Sequence, residues 1–313
     1  MGGTTMKIAI AGGNGFIGSA LITYFREQQH QLYILTRQPE NLTARDGVTY
    51  VSWMGKKDTP EQLIEGIDVF INLAGVSLNS GRWTASRKQA IQSSRDTTTK
   101  EVVRIIKTLN KKPEILLQAS AVGYYGTSNT KVFTEQDIVP ATDFLSTTVH
   151  YWEQEALQSG IRTVLMRFGV VLGVDGGALT MMQLPYRLLV GGKIGSGQQP
   201  LPWIHIEDVA RAIDHCIRTE SMEGAINFTS PEIVTMEQFG VTLAKAMHRP
   251  HWLPLPSFIM RLILGEMSML LLEGQRVYPE RLLKHGFSFS YPSLNAALTK
   301  LVQQQSKRIE KGR

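Results

Sequence analysis

Lys7-Ile8-Ala9-Ile10-Ala11-Gly12-Gly13-Asn14-Gly15-Phe16-Ile17-Gly18 decides the fold. Lys7 to Ala11 is a short apolar run of strand type, and Ile17 to Gln28 carries helical spacing. Between them glycines fall at positions 12, 15 and 18. Gly12 permits a tight turn, Gly15 lets a pyrophosphate approach bare backbone, and Gly18 lets the helix pack on the strand. The helix N-terminus adds unpaired N–H groups and the positive end of its dipole. A glycine triplet alone is weak evidence. Placed between a strand and a helix, it reads as a dinucleotide-binding turn.

Working outward, the first half alternates strand and helix patterns. Strands are expected at Gln31 to Thr36, Val48 to Trp53, Val69 to Leu73, Ile115 to Ala119 and Thr163 to Arg167. The segments between, such as Ser86 to Leu109, are long enough for crossover helices. This alternation predicts an α/β fold, a Rossmann-type doubly wound parallel sheet. After Leu172 the pattern changes. Glycines cluster from Gly173 to Gly197 and prolines at Pro250, Pro254 and Pro256. We expect residues 1–172 to form the cofactor domain. Residues 173–313 would form a smaller, mostly helical substrate domain of loops and short helices. About 203–230 would return to the first domain, with Ala225 to Thr229 as a further strand.

The second strand ends at Leu35-Thr36-Arg37. An NAD-preferring site places an acid here to hold the ribose hydroxyls. This chain has none, the nearest being Glu40, and Arg37 offers a guanidinium suited to the 2′-phosphate of NADP. The expected cofactor is therefore NADP(H).

Composition narrows the classes. Of 313 residues, 42% are hydrophobic and 19% charged, which suits a full core. The net charge of +6 is scattered, apart from the tail Lys307 to Arg313, and no stripe interleaves aromatics with cations. Nucleic acid is not the expected partner. The single cysteine, Cys216, excludes an internal disulfide and fits a reducing compartment. Met6 to Ile10 is too short for the apolar core of a secretory signal. Phe258 to Leu272 is interrupted by Arg261 and Glu266 and is too short to span a bilayer. A cytoplasmic location without a membrane partner is the expectation, with Met1 to Thr5 a flexible lead-in. The seven histidines are dispersed, so no metal site is expected. Gly191 to Gly197 lack the lysine–serine pair of a P-loop.

Several motifs carry a resemblance. Asn14 to Gly18, Asn72-Leu73-Ala74-Gly75, Ser120 to Gly126, Arg167 to Gly173 and Pro202 to Val209 occur in the order found in extended and atypical short-chain dehydrogenase/reductases. That group includes the nucleotide-sugar epimerases. Arg82-Trp83, Ser94-Arg95, Ser120 to Tyr125, Ile194 to Gly197 and Leu271 to Val277 resemble its "epimerase family" branch, the 39U atypical reductases. The resemblance runs from Lys7 to about Leu301. It implies that Gly12, Asn14, Gly15, Phe16, Ile17 and Gly18 surround the cofactor. Thr36 and Arg37 would meet the 2′-phosphate. Leu73, Ala74 and Gly75 would line the path of the adenine ribose, Arg95 would face the cofactor, and Val171 would lie near the nicotinamide. It also implies a small-molecule substrate, with nucleotide sugars among the candidates.

Extended members of the group use Tyr-x-x-x-Lys on one helical face, where the lysine favours tyrosinate. Aligning Glu153 with the glutamate that follows that lysine puts Leu145 and Val149 in the two slots. Neither transfers a proton. Ser120 matches the group's strand-end serine, and Tyr124 is a substitute proton donor. Gly123 between them suggests a loop, and a phenol lacking a cationic neighbour would stay neutral. His205, in an apolar run before a helix start at Glu207-Asp208, reads as a satisfied structural histidine rather than a base. Two readings stay open: an NADP(H)-dependent oxidoreductase or epimerase of unusual mechanism, and an NADPH-binding sensor without turnover. The oligomeric state is not legible.

Overall fold

The structure, a computed structural model, describes residues 5–78 and 81–311. Residues 1–4 of the lead-in expected at Met1 to Thr5, and the tail residues Gly312 and Arg313, lie outside the described residues. The first half runs β1 (Lys7–Ala11), α1 (Phe16–Glu27), β2 (Gln31–Thr36), β3 (Val48–Ser52), α2 (Pro60–Leu63), β4 (Val69–Asn72) and α3 (Ala85–Thr108). It continues with β5 (Ile115–Ala121), β6 (Ser128–Phe133), α4 (Phe144–Leu157), β7 (Arg162–Phe168) and β8 (Val170–Leu172). The second half holds α5 (Leu179–Arg187), β9 (Pro200–Leu201), β10 (Trp203–His205), α6 (Ile206–Arg218), β11 (Gly224–Phe228), β12 (Val234–Thr235) and α7 (Met236–Met247). It ends in α8 (Ser257–Leu264), α9 (Met269–Leu272), β13 (Gln275–Val277), α10 (Glu280–Lys284) and α11 (Leu294–Lys311).

Seven strands form one sheet in the order β3-β2-β1-β4-β5-β7-β11, every neighbouring pair parallel. Its central strands are apolar on both faces, as β4 shows with all four residues buried, because helices cover both sides. On one face Leu21, Ile22 and Phe25 of α1 pack with Val209, Ile213 and Cys216 of α6 against Ile8, Ile10, Ile71 and Met166. On the other, Val102, Ile105 and Ile106 of α3 meet Ala9, Phe70, Leu116 and Leu165. A further cluster gathers α5, α7 and α11 around Trp203, Phe239 and Leu298.

Local signals start the helices. α4 and α7 open on reciprocal caps, Asp143 with Ser146 and Thr235 with Gln238. α6 begins behind His205, whose side chain accepts from the Glu207 amide, and carries Glu207 and Asp208 in its first turn.

Strand boundaries differ from expectation by one or two residues, β5 running on to Ala121 and β11 beginning at Gly224. The second half was expected to be mostly helical, with loops and short helices; it is helical, and not only in short pieces. It contains helices of 12, 13 and 18 residues, α7, α6 and α11. Gly123 lies in a 3-10 turn, Val122–Tyr125, and not in an open loop. No helix is long and apolar enough to cross a membrane among the described residues.

Candidate dinucleotide-binding and catalytic site

Strand order reverses at β1, with β2 on one side and β4 on the other. In such sheets a crevice opens beyond the C-terminal strand ends at this point. Gly12 sits there with φ +79°, and a Cβ on it would stand 2.8 Å from the backbone of Leu73 and Ala74. A Cβ on Gly18 would stand 2.5 Å from Gly12 O and Gly13 Cα. Gly15 is different. It caps α1 without a side chain, and its Cβ would meet only Gly12 O, at 3.3 Å. The space over the helix N-terminus is thus open, and a cradle of N–H groups faces it.

Asn14 Nδ2 donates to Thr36 Oγ1 at 3.3 Å, joining the turn to the end of β2. The next residue, Arg37, is exposed. No described carboxylate pairs with it. β4 exits through Asn72, which is buried. Its Nδ2 donates to Gln118 Oε1 at 2.9 Å and its Oδ1 accepts from the Ala74 amide at 3.1 Å. Leu73 N donates to Ala11 O, so Leu73, Ala74 and Gly75 are held against the glycine turn.

Arg95 lies across this exit. Its Nη1 donates to Val76 O and Ile91 O, each at 3.1 Å, and its guanidinium stands 5.0 Å from the Trp152 ring centroid. No described carboxylate neutralises it, and burial pushes its pKa down to about 10. A cation so placed is suited to an anionic ligand.

Phe16 reaches the other way. Its ring fills a cradle lined by Gly173, Gly176 and Gly177, where added Cβ atoms would stand 2.6, 3.1 and 2.8 Å from it. These glycines, read from sequence as part of a loop, make room for the first residue of α1. The later ones pack similarly: a Cβ on Gly191 would strike the Tyr186 ring at 2.3 Å, and one on Gly192 would strike the Leu253 backbone at 2.0 Å. Ile17 packs in the first core beside buried Val171 of β8.

Ser120 is buried at the end of β5, and its hydroxyl donates to Glu153 Oε1 at 2.5 Å. Arg167 of β7 grips the same carboxylate through Nε and Nη2, both at 2.8 Å. Its Nη1 donates to the Tyr125 hydroxyl at 3.0 Å, and that hydroxyl donates to Asn227 Oδ1 at 2.8 Å. Asn227 continues to Tyr278 O and Glu135. The chain of bonds thus runs from β5 across β7 to β11. Burial pushes the Tyr125 phenol up to about 12. Burial also opposes the Arg167 charge, but Glu153 more than offsets it and holds the guanidinium protonated.

Tyr124 does have a cationic neighbour. The Arg167 guanidinium lies over its ring face, 3.3 Å from the centroid. His150 stacks on the same tyrosine at 4.0 Å and 7°. Leu145 and Val149, the residues expected in the two slots of the usual pair, lie on α4 beside Gly123. A Cβ on Gly123 would lie 3.5 Å from Leu145 Cβ and 4.0 Å from Val149 Cγ2, so these slots present an apolar wall to the Gly123 backbone. His205 is fully buried and stacks on Tyr291 at 3.8 Å. Burial pushes its pKa down to about 4. The expectation of a satisfied histidine is half met, since Nδ1 accepts from Glu207 N while Nε2 has no partner among the described residues. No group of acidic, histidine or cysteine side chains there could hold a metal ion.

The profile of the NAD dependent epimerase/dehydratase family matches residues 8–228, the span that contains the glycine turn, Arg37, Arg95, Ser120, Tyr124 and Arg167. The chain belongs to that family. A second profile, a domain of unknown function, matches residues 255–301. Epimerase family protein YfhF of Bacillus subtilis is 48% identical over 300 residues, covering 95% of this chain and 98% of the relative. The structure of human epimerase family protein SDR39U1 (isoform 2) with NADPH superposes with a TM-score of 0.86 at 33% identity, covering 95% of this chain and 99% of that one. UDP-glucuronic acid 4-epimerase from Bacillus cereus, in complex with UDP-glucuronic acid and NAD, shares the fold with a TM-score of 0.76 at 17% identity, covering 97% of this chain and 100% of that one.

Reading the sequence missed the Glu153–Arg167 pair, for which a signal existed. Arg167 interrupts an apolar strand, Thr163 to Phe168, and a charge inside a buried strand requires a partner. Glu153 had served only to set the register of the missing pair. Tyr125 and Asn227 had no such signal, because both are polar types that occur equally at surfaces.

Proposed function

We propose that this family member binds NADP(H) across the C-terminal edge of the sheet and exchanges hydride with a small polar substrate. Residues 1–172 form the cofactor domain and 173–313 the substrate domain, apart from 203–230, which return to the first. The observation that carries the reading is the open Gly15 cap of α1 with exposed Arg37 at the end of β2. The NADPH in the human relative supports it. Gly12, Asn14, Gly15, Phe16, Ile17 and Gly18 shape the pyrophosphate seat. Thr36 and Arg37 hold the 2′-phosphate, Leu73, Ala74 and Gly75 border the ribose, Arg95 supplies a positive charge beside them, and Val171 backs the nicotinamide. When bound, the cofactor supplies or accepts the hydride.

Calorimetry tests the cofactor. NADPH should bind better than NADH by about 1.5–3 kcal/mol, the range for a charge-assisted contact. Arg37→Asp should erase or reverse that preference. An unchanged ratio would place the phosphate away from β2.

Tyr124 is the proton donor in this reading, with Ser120 beside it. Neutral phenols donate readily to a developing alkoxide but accept poorly near pH 7. Tyr124→Phe should lower turnover about a hundredfold, the lower end for a lost general acid, with NADPH affinity nearly unchanged. Ser120→Ala should also lower turnover while leaving the cofactor bound. Full turnover in the double variant would remove both from the chemistry. A nucleotide sugar is the first substrate class to try, since the family is named for epimerases and dehydratases.

The apolar wall of Leu145 and Val149, with the Ser120 hydroxyl engaged by Glu153, favours a second reading, a cofactor sensor without turnover. Bound NADPH that no metabolite in a broad panel oxidises would decide for the sensor.

A further inference from the structure

Two segments of the second half contain no acidic residue. They are residues 176–206 and 238–265, and together they carry five cations: Arg187, Lys193, Lys245, Arg249 and Arg261. No carboxylate pairs with any of the five among the described residues. The same segments hold ten of the fifteen large apolar side chains left exposed among the described residues. Phe258 is 69% exposed, Leu262 75% and Trp252 63%. In α8, Met260 is the only buried residue.

The segments join into one face. Trp252 and Leu253 both donate through their amides to Gly191 O, and Trp252 Nε1 donates to Leu189 O at 2.9 Å. Leu255 bridges to Ile194. α5 leads directly into this seam and α8 directly out of it. Met181 and Leu184 of α5, with Leu188 at its C-cap, follow helical spacing opposite buried Leu179, Gln183 and Tyr186. Phe258 and Leu262 are spaced i, i+4 on α8.

We propose that this face docks on an anionic lipid surface. Large exposed apolar groups with an aromatic pair and unpaired cations are what an interfacial membrane contact requires. The sequence had discouraged membranes on spanning length alone, and a surface contact needs no span. A second copy fits badly. Two-fold pairing sets the same patch against itself, which here opposes five cations to five, with Glu237, beside Lys193 and bonded to His251, the acid that borders them.

The test is co-sedimentation of the full chain with phosphatidylcholine vesicles, with and without phosphatidylglycerol, at low and high ionic strength. Binding is expected to the anionic vesicles alone, and to fall at high salt. Phe258→Ser with Leu262→Ser should weaken it about tenfold. Arg249→Gln and Arg261→Gln should each weaken it about fivefold. Unchanged melting curves check the fold of all these variants. Absence of binding to anionic vesicles at low salt overturns the proposal. So does binding that the apolar double variant leaves unchanged, because overall charge alone then accounts for it. A lipid-free dimer that this variant dissociates, without vesicle binding, assigns the face to a second copy instead. Binding to polyglutamate without binding to vesicles assigns it to an acidic protein.

Discussion

Gly15→Val should abolish dinucleotide binding and leave the protein folded. The backbone at Gly15 has φ −77° and ψ 176°, which valine adopts without strain. The new Cβ meets only Gly12 O at 3.3 Å, so its methyl groups project over the N-terminus of α1 into the space assigned to the pyrophosphate. Each N–H bond to a phosphate oxygen is worth about 1.5–3 kcal/mol, so losing one or two weakens binding on the order of a hundredfold or more. Calorimetry with NADPH measures this, and an unchanged affinity would move the cofactor elsewhere. The neighbouring glycines supply the contrast. Alanine at Gly12 requires φ +79° and presses on the Leu73–Ala74 backbone, and alanine at Gly18 presses on Gly12 and Gly13. Both should lower the melting temperature, which separates damage to the fold from blockage of the site.

Arg167→Met should cost about 3–5 kcal/mol of stability, the range for one partner removed from a buried ion pair. The side chains of Arg167 and Glu153 are 5% and 7% exposed. Without the guanidinium the carboxylate keeps the Ser120 hydroxyl as its only side-chain donor among the described residues, Tyr125 loses a donor, and Tyr124 loses the cation beneath its ring. At roughly 2–4 °C per kcal/mol, the melting temperature should fall by roughly 6–20 °C. Adding Glu153→Leu should restore much of the loss, because a buried pair replaced by apolar groups is often neutral. A double variant no more stable than Arg167→Met alone would show that the pair does not act as a unit.

What could be read in advance follows from the range of each signal. The seven strands of the sheet announced themselves through apolar runs such as Val69 to Leu73, and the glycine turn through spacing confined to seven residues. Both are local patterns. The place of Arg37, just past the end of β2, was legible because a strand end next to a glycine turn has a fixed position in this fold. The rest depends on residues far apart in the chain. Gly173, Gly176 and Gly177 look like loop residues until Phe16 is seen resting on them. Ser120 matched the group's strand-end serine, yet its hydroxyl goes to Glu153 once α4 packs beside β7. Asn227 joins the same network only because β11 pairs with β7.

The first core is closed by residues made late. Val209, Ile213, Ile226 and Phe228, and then Leu282 and Phe287, belong to the same cluster as Ile8, Ile10 and Leu21. A ribosome adding roughly 5–20 residues per second leaves a delay on the order of ten seconds between the emergence of β7 and that of Phe287. For roughly the first half of this interval, until α6 and β11 have emerged, β7 is an unpaired edge and one face of the sheet lacks α6. Such edges and faces are the sites where nascent chains pair with one another or are taken up by chaperones. A chain cut after Leu172 would lack both α6 and β11 and would keep that edge and that face exposed.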